Sequence, residues 1–361
     1  MRAAVCRRFG TRLDIEDVTI RAPGPGEVLV RIAACAICHS DVAFIDGAWG
    51  GKLPAVYGHE AAGIVEDTGS GVTGLATGDH VVVTLVRFCG RCARCTRGQP
   101  SLCEGLPPAD MNPVLVSAGG DALAQGMRTA AFAEFVTVDS SQVVAVPKSI
   151  PFDAASLLAC SVLTGVGAVI NTAAVEPGST VVVLGAGGVG LNCVQGSVLA
   201  GATQIITADR VVSKLAIARE FGATEVIDPA SHDIAGLVME RTGGQGADYV
   251  FVAAGVASLI EAGSSVLRRG GTLVIVGIPP AGVTISLDPL AIADGSLRVL
   301  GSKMGAARPQ QDVPKFAELY RAGRLKLDEL ISERFGFDRI NDAIDSARAG
   351  AHLRPVVVFP E

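Results

Sequence analysis

Cys89, Cys92, Cys95 and Cys103 stand at C-x2-C-x2-C-x7-C within F-C-G-R-C-A-R-C-T-R-G-Q-P-S-L-C. Thiolates so closely spaced predict a closed tetrahedral zinc site, one that holds a loop in shape and leaves no position open for substrate. Four thiolates around one zinc carry about two negative charges by ligand counting, which Arg87, Arg91, Arg94 and Arg97 are expected to offset. A second stretch, C-A-I-C-H-S-D from Cys35 to Asp41, poses an open choice. It is either a paired metal or redox element or a single reactive cysteine with His39, Ser40 and Asp41 beside it.

Another chemistry is written in G-A-G-G-V-G, Gly185 to Gly190, which matches G-x-G-x-x-G. Alone the motif is weak, but it follows the apolar run Thr180 to Leu184 and opens a second, Val189 to Ala200. In a strand, turn and helix of this kind Gly185 permits the tight turn and Gly187 lets the backbone approach a pyrophosphate. Gly188 stands beside it at the helix start, and Gly190 allows close helix packing. Asp209 lies nineteen residues past Gly190, at the expected end of the next strand. A carboxylate there accepts from a ribose 2′-OH and repels a 2′-phosphate, which favours NAD over NADP. Arg210 beside it complicates the choice, because an arginine can pair with that phosphate.

Positioning these groups takes two kinds of scaffold. A chain of 361 residues exceeds the roughly 250 to 300 at which one core stops growing, so two domains are expected. Short β-branched runs bounded by glycine, Glu27 to Ile32, Gly63 to Val65 and His80 to Val83, mark an irregular, mostly β domain. Further on, four near-continuously apolar strands (180–185, 204–209, 248–254 and 272–277) alternate with helical patterns. They predict a Rossmann-type doubly wound parallel sheet and an α/β fold. A helix around Val313 to Ala322 and a last strand, Pro355 to Phe359, are expected to return to the first domain. The boundaries follow: 1–161 with 303–361 for the catalytic, zinc-binding domain, and 162–302 for the dinucleotide-binding domain.

Composition sets exclusions. A net charge of −6 with no basic stripe argues against nucleic acid as a partner. Ala154 to Val175 and Pro177 to Ala208 are uncharged and long enough to suggest a membrane, but Gly, Ser, Thr and Asn interrupt both, so they are read as buried core. Nine cysteines and an N-terminus with no apolar signal segment fit a reduced, cytoplasmic protein.

The segment G-H-E-A-A-G-I-V-E-D-T-G-S-G-V (58–72) fits G-H-E-x2-G-x5-G-x2-V without a mismatch. The four-cysteine lobe, L-L-A-C-S-V-L-T-G-V-G-A-V (157–169), the glycine-rich turn with Asp209, and V-G-I-P-P (276–280) accompany it. In that order they resemble, over essentially the whole chain, the zinc-containing alcohol dehydrogenases of the medium-chain dehydrogenase/reductase family. The resemblance implies a GroES-like catalytic domain beside the Rossmann domain, two zinc ions per chain and NAD.

By the same resemblance the catalytic zinc would be held by Cys38, His59 and Cys160. Glu60 would be a nearby acid or transient ligand, and Asp41 would orient the histidine. Three protein ligands leave a fourth position for an alcohol oxygen, whose proton Ser40 would take and pass to the nicotinamide ribose. Relatives finish this relay with a histidine five residues after the cysteine ligand. Here that position is Ala43, so the ribose hydroxyl is expected to release the proton directly to water. His39 and Arg354 would meet the cofactor pyrophosphate, and Lys214 the adenosine ribose. Thr164 and Val189 would pack on the nicotinamide ring, and the backbone of Val276 would bond its carboxamide. Trp49 and Leu85 would wall an apolar pocket, which implies a hydrophobic primary alcohol, aryl or medium-chain, oxidised to the aldehyde. C-A-I-C then ceases to be a pair, with Cys38 a ligand and Cys35 a small buried apolar residue.

Three alternatives stay open. One is a formaldehyde dehydrogenase acting on a thiol adduct of the S-hydroxymethyl glutathione type, decided by the Gly- and Pro-rich stretch Glu104 to Arg128 that is expected to border the pocket. Another is a binding protein that keeps the fold without catalysis, against which both intact ligand sets argue. The third retains NAD through turnover and needs an external hydride acceptor. The resemblance also implies a small-molecule alcohol or aldehyde as partner and a homo-oligomer, dimer or tetramer.

Overall fold

Glycine and proline cut the β-branched runs of the first 145 residues short, and the strands that remain fold into two sheets. The computed structural model describes residues 1–105, 113–350 and 353–360. Two compact units divide the chain: Met1–Ser161 with Arg308–Glu361, and Val162–Ala307.

In the first unit Arg2–Cys6, Asp14–Ile20, Leu115–Ser117, Ala122–Gln125 and Ala55–Val56 close a barrel in that order. Beside it runs a seven-stranded sheet ordered Val143–Ala145, His80–Thr84, Glu60–Thr68, Glu27–Ala36, Arg354–Val358 and Ile331–Gly336, with Phe135–Asp139 also paired to Glu27–Ala36. Glu27–Ala36 is the hub. Val28, Val30 and Ile32 are buried and alternate with half-buried neighbours, the period of a strand with one face on a core. From Ala34 to Cys38 burial becomes continuous, because this end lies between Glu60–Thr68 and Arg354–Val358. The register sets Ala36 opposite Glu60 and so brings Cys38 toward His59 and Glu60. Phe132, Ile37, Ile45 and Phe337 fill the core beneath, each burial contributing about 1.5–3 kcal/mol.

Two parts of this unit hold elements beyond those expected. Of Glu104 to Arg128, residues 106–112 lie outside the described residues, and much of the rest is regular strand. Leu115–Ser117 and Ala122–Gln125 form an antiparallel pair that completes the barrel, with Leu115 and Leu123 buried and a turn at Gly120, φ +88°. At the C-terminal end the expected helix spans Pro309–Arg321, and a strand, Ile331–Gly336, and a helix, Ile340–Ala349, follow it. Ile340, Ala343, Ile344 and Ala347 are the buried face of that second helix, an i, i+3, i+4, i+7 pattern that was readable.

The second unit is a six-stranded sheet ordered Glu225–Ile227, Gln204–Ala208, Thr180–Leu184, Ala247–Val252, Leu267–Ile275 and Arg298–Gly301, every neighbour parallel. This is the strand order of a dinucleotide-binding fold. The two strands that apolar pattern did not single out are the edges. Glu225–Ile227 has only three residues, and Arg298–Gly301 is largely exposed, so neither had to be continuously apolar.

The glycines of the central turn meet different constraints. Gly185 has φ +101°, and a Cβ on Gly190 would lie 1.7 Å from the Gly185 carbonyl oxygen. A Cβ on Gly187 would meet nothing within 4 Å. Gly190→Ala should therefore force the turn apart, at a cost of about 1–3 kcal/mol or more, whereas Gly187→Ala should stay within about 0.5 kcal/mol of wild type. Thermal unfolding of the two variants checks this; equal melting temperatures would contradict the assigned packing.

Candidate metal centres and nucleotide site

Cys35 is the last but one residue of the hub strand, fully buried, its thiol donating to the Ala36 carbonyl oxygen at 3.7 Å. Burial pushes that thiol well up, toward the unreactive form. Cys38 is different, because the chain turns there and begins the helix His39–Ile45 with Cys38 as its N-cap. His39 is exposed, while Ser40 and Ala43 are half-buried.

Asp41, fully buried in the first turn of that helix, organises what surrounds it. Its Oδ2 accepts from the Cys38 N–H at 2.9 Å; its Oδ1 accepts from the Gly58 N–H at 3.0 Å and from His59 Nδ1 at 3.0 Å. A carboxylate surrounded by three donors accepts from each, so Nδ1 carries a proton and Nε2 is the ring nitrogen left for a metal. That Nε2 is buried without a hydrogen-bond partner. One ligand atom each from Cys38, His59, Glu60 and Cys160 lies within 4.8 Å of the others, all four residues buried. A hydrogen bond from Cys160 and then the charge of Arg354 hold Cys38 well below the usual thiol range, while the donor Cys160 is pushed up. Two sulfurs, an unpartnered imidazole nitrogen and an adjacent carboxylate make a donor set that fits zinc.

Arg354 also belongs to this cluster. It is 5% exposed; Nη1 donates to the Ile37 carbonyl oxygen at 3.1 Å and lies 3.3 Å from Glu60 Oε1. Burial drives the Glu60 carboxyl up, and the guanidinium opposes it. The expected phosphate contact of Arg354 thus meets a placement at the metal centre, where only its remaining donors are left for a phosphate.

The four-cysteine lobe is compact and half-buried, its ligand sulfurs within 4.8 Å of one another. Cys92 Sγ lies 3.6 Å from Cys95 Sγ and 3.9 Å from Cys103 Sγ. Zinc–sulfur bonds of about 2.3 Å give a tetrahedral edge of roughly 3.8 Å, so the sulfurs already stand at ligand spacing. The expected arginine balance is only partly met. Arg87 pairs with Asp139 at 3.5 Å and Arg94 with Glu104 at 3.4 Å. Nearby acids occupy those cations, and backbone N–H groups meet the sulfurs instead: Arg91 and Cys92 donate to Cys89, and Cys89 to Cys103, at 3.3–3.5 Å.

In the other unit, Asp209 lies against the glycine-rich turn. Its Oδ2 accepts from the Ala186 N–H at 2.7 Å and its Oδ1 from the Val211 N–H at 2.8 Å. Gly188 opens the helix Gly188–Leu199, with Gly190 buried and Val189 half-buried. Arg210 is exposed, whereas Lys214 is buried and its pKa lowered, first by burial. Thr164 Oγ1 donates to Met304 Sδ at 3.6 Å. The N–H of Val276 is committed to the Val252 carbonyl oxygen at 3.0 Å, so a carboxamide contact would fall to its carbonyl. Of the pocket candidates, Trp49 meets Phe44 edge-on at 5.2 Å and Leu85 is half-buried.

Sequence pattern missed Thr84, Thr129 and Gln142, all buried within the first unit. No spacing rule marks a buried hydroxyl or amide that bonds to backbone.

Metal analysis of the purified chain should find two zinc ions, and a single equivalent would remove one of the sites. Asp41→Asn turns one acceptor into a donor facing N–H groups. It should cost about 1–3 kcal/mol and weaken metal binding about 10–100-fold, measured by unfolding and by chelator competition; unchanged affinity would deny Asp41 its orienting role.

Residues 24–148 match the alcohol dehydrogenase GroES-like domain, and residues 188–322 match the zinc-binding dehydrogenase family. The NDMA-dependent alcohol dehydrogenase of Amycolatopsis methanolica is 35% identical, covering 99% of this chain and 98% of that protein. Among solved structures, an alcohol dehydrogenase zinc-binding domain protein from Burkholderia ambifaria has a TM-score of 0.95 at 36% identity, covering 100% of this chain and 99% of its own. Benzyl alcohol dehydrogenase from Acinetobacter calcoaceticus has a TM-score of 0.93 at 32% identity over 99% of both chains. With two zinc-ligand sets in one unit and a dinucleotide-type sheet in the other, the chain belongs to the zinc-containing alcohol dehydrogenases of the medium-chain dehydrogenase/reductase family.

Proposed function

We propose that this alcohol dehydrogenase oxidises a hydrophobic primary alcohol, aryl or medium-chain, to its aldehyde with NAD as hydride acceptor. The observation that carries the reading is the buried group of Cys38, His59 and Cys160 with an unpartnered His59 Nε2. Zinc held there would supply Lewis acidity, lowering the pKa of an alcohol hydroxyl toward neutral. Asp41 keeps the His59 tautomer, and the Glu60–Arg354 pair keeps charge near the ligands balanced. The half-buried Ser40 is the residue to receive the alcohol proton at Oγ. The four-cysteine lobe is closed by its own ligands and does no chemistry.

NAD is supported by the turn at Gly185, Gly187, Gly188 and Gly190 and by Asp209, whose carboxylate is held at the turn by the Ala186 N–H. It would repel a 2′-phosphate, and Arg210 is the competing influence. Lys214, Thr164, Val189, Val276 and His39 are the further cofactor contacts in this reading, and Trp49 and Leu85 the pocket wall. The benzyl alcohol dehydrogenase likeness supports an aryl substrate. A second reading of the acceptor follows from the NDMA-dependent relative: NAD stays bound through turnover, and an added acceptor removes the hydride.

We place the protein in the cytoplasm, since all nine cysteines are free of disulfides. Among the described residues no helix is long and apolar enough to cross a membrane. A homo-oligomer, dimer or tetramer, is supported by the exposed edge strand Arg298–Gly301 and by Leu290, 74% exposed nearby in sequence.

A panel of alcohols and aldehydes with NAD and NADP, and formaldehyde with and without a thiol, tests the reading. Benzylic or medium-chain alcohols with NAD should be turned over fastest; a strict thiol requirement would point to the adduct substrate instead. If NAD is retained, denaturing the purified protein should release it and activity should need an added acceptor. With alanine at position 43 the proton leaves from the ribose to water, so Ala43→His should raise the rate near neutral pH. An unchanged pH–rate profile would count against that route.

A further inference from the structure

His59 and Cys160 are each preceded by a residue whose carbonyl is held by a buried threonine. Thr129 Oγ1 donates to the Gly58 carbonyl oxygen and Thr84 Oγ1 to the Ala159 carbonyl oxygen, both at 2.6 Å. Both threonines are 0% exposed. Thr84 also stands opposite Glu60 in the sheet, so it ties the strand that begins at Glu60 to the turn that carries Cys160. One side chain links the two arms: Gln142 Nε2 donates to the Thr84 carbonyl oxygen at 2.9 Å and to that of Arg128 at 3.0 Å.

The backbone around Thr129 is unusual. Met127, Arg128 and Ala130 have φ of +48°, +66° and +61°, in the left-handed region that residues with a Cβ avoid. Such conformations persist only where the surroundings over-determine them. Here Gln142 holds Arg128, and Gln125 Nε2 holds the Thr129 carbonyl oxygen at 3.3 Å. Backbone bonds from Ala131 to Gly58 and from Phe132 to Tyr57, at 2.9 and 2.8 Å, fasten the segment to the chain that leads into His59. The strained turn therefore aims one hydroxyl at one carbonyl beside a ligand.

We propose that Thr84, Thr129 and Gln142 are positioning residues for His59 and Cys160, fixing their backbone before metal arrives. The proposal rests on the reading of Cys38, His59 and Cys160 as a metal centre. Ligand distances tolerate only about 0.2 Å, so carbonyl tethers set beforehand reduce what must be ordered when the ion binds.

The test follows zinc release to a chelator from the full chain, with Cys160→Ser assigning the phase that belongs to this site. Thr84→Val and Thr129→Val keep shape and remove the donor. Each should weaken metal binding at this site about tenfold or more and leave the four-cysteine site unchanged. Thr84→Ser and Thr129→Ser should restore most of the loss. Cobalt(II) in place of zinc should show an altered ligand-field spectrum in the valine variants. Wild-type affinity and spectrum in folded valine variants, or equal loss of both metals, overturns the proposal. Should a valine variant not fold, Gln142→Met, with both threonines in place, is judged by the same two outcomes. If Cys160→Ser removes no release phase, the metal-site reading fails and the positioning proposal goes with it.

Discussion

One buried carboxylate sets the local structure on which the rest of the first unit's buried cluster depends. Asp41 accepts from Cys38, from Gly58 and from the ring of His59, joining segments 17 and 18 residues apart. An ionised side chain with no solvent exposure costs several kcal/mol unless donors replace water, and here three do. The same group starts the helix His39–Ile45, fixes the turn before the metal ligands and selects which nitrogen of His59 faces the cluster. These are therefore not separable features. Around it Glu60, Cys38 and Cys160 share a buried space with the guanidinium of Arg354. A dication bound there would add positive charge beside the sulfurs.

The two ligand sets differ in how the chain brings them together. Cys89, Cys92, Cys95 and Cys103 fall within fifteen residues, and local backbone N–H groups donate to their sulfurs, which stand at ligand spacing. Cys38, His59 and Cys160 come from the end of one strand, the start of another and a helical turn. They need the register of Ala36 with Glu60 and the tether from Thr84 to Ala159. A local site can form from its own loop, whereas a dispersed site exists only when the surrounding sheet does.

That difference explains what could be read from sequence. The four-cysteine spacing and the glycine-rich turn are local, and both were legible, down to the distinct demands on Gly185 and Gly190. Apolar runs revealed the inner strands of the parallel sheet, but the edge strands Glu225–Ile227 and Arg298–Gly301 are short or exposed and carry no such run. The helix Ile340–Ala349 carries a helical period in its buried positions, though only over about three turns. Leu115–Ser117 and Ala122–Gln125 were hidden because closing a barrel takes only a few inward residues in each strand. Cys38, His59 and Cys160 could be grouped only by resemblance. The pairing of Arg87 with Asp139 and of Arg354 with Glu60 joins residues far apart in the chain, beyond the reach of any motif.

The discontinuity of the first unit has a consequence for the order in which the protein is made. Arg354–Val358 pairs with the hub strand and delivers the guanidinium that meets Glu60. The ribosome, however, completes Cys38, His59, Cys160 and the whole Val162–Ala307 unit before Arg354 exists. At roughly 5–20 residues per second, the interval from Cys160 to Arg354 is on the order of ten to forty seconds. During that time the nascent chain exposes an unpaired strand edge and a carboxylate without its counter-charge. The unit Val162–Ala307, contiguous in sequence, has no such wait.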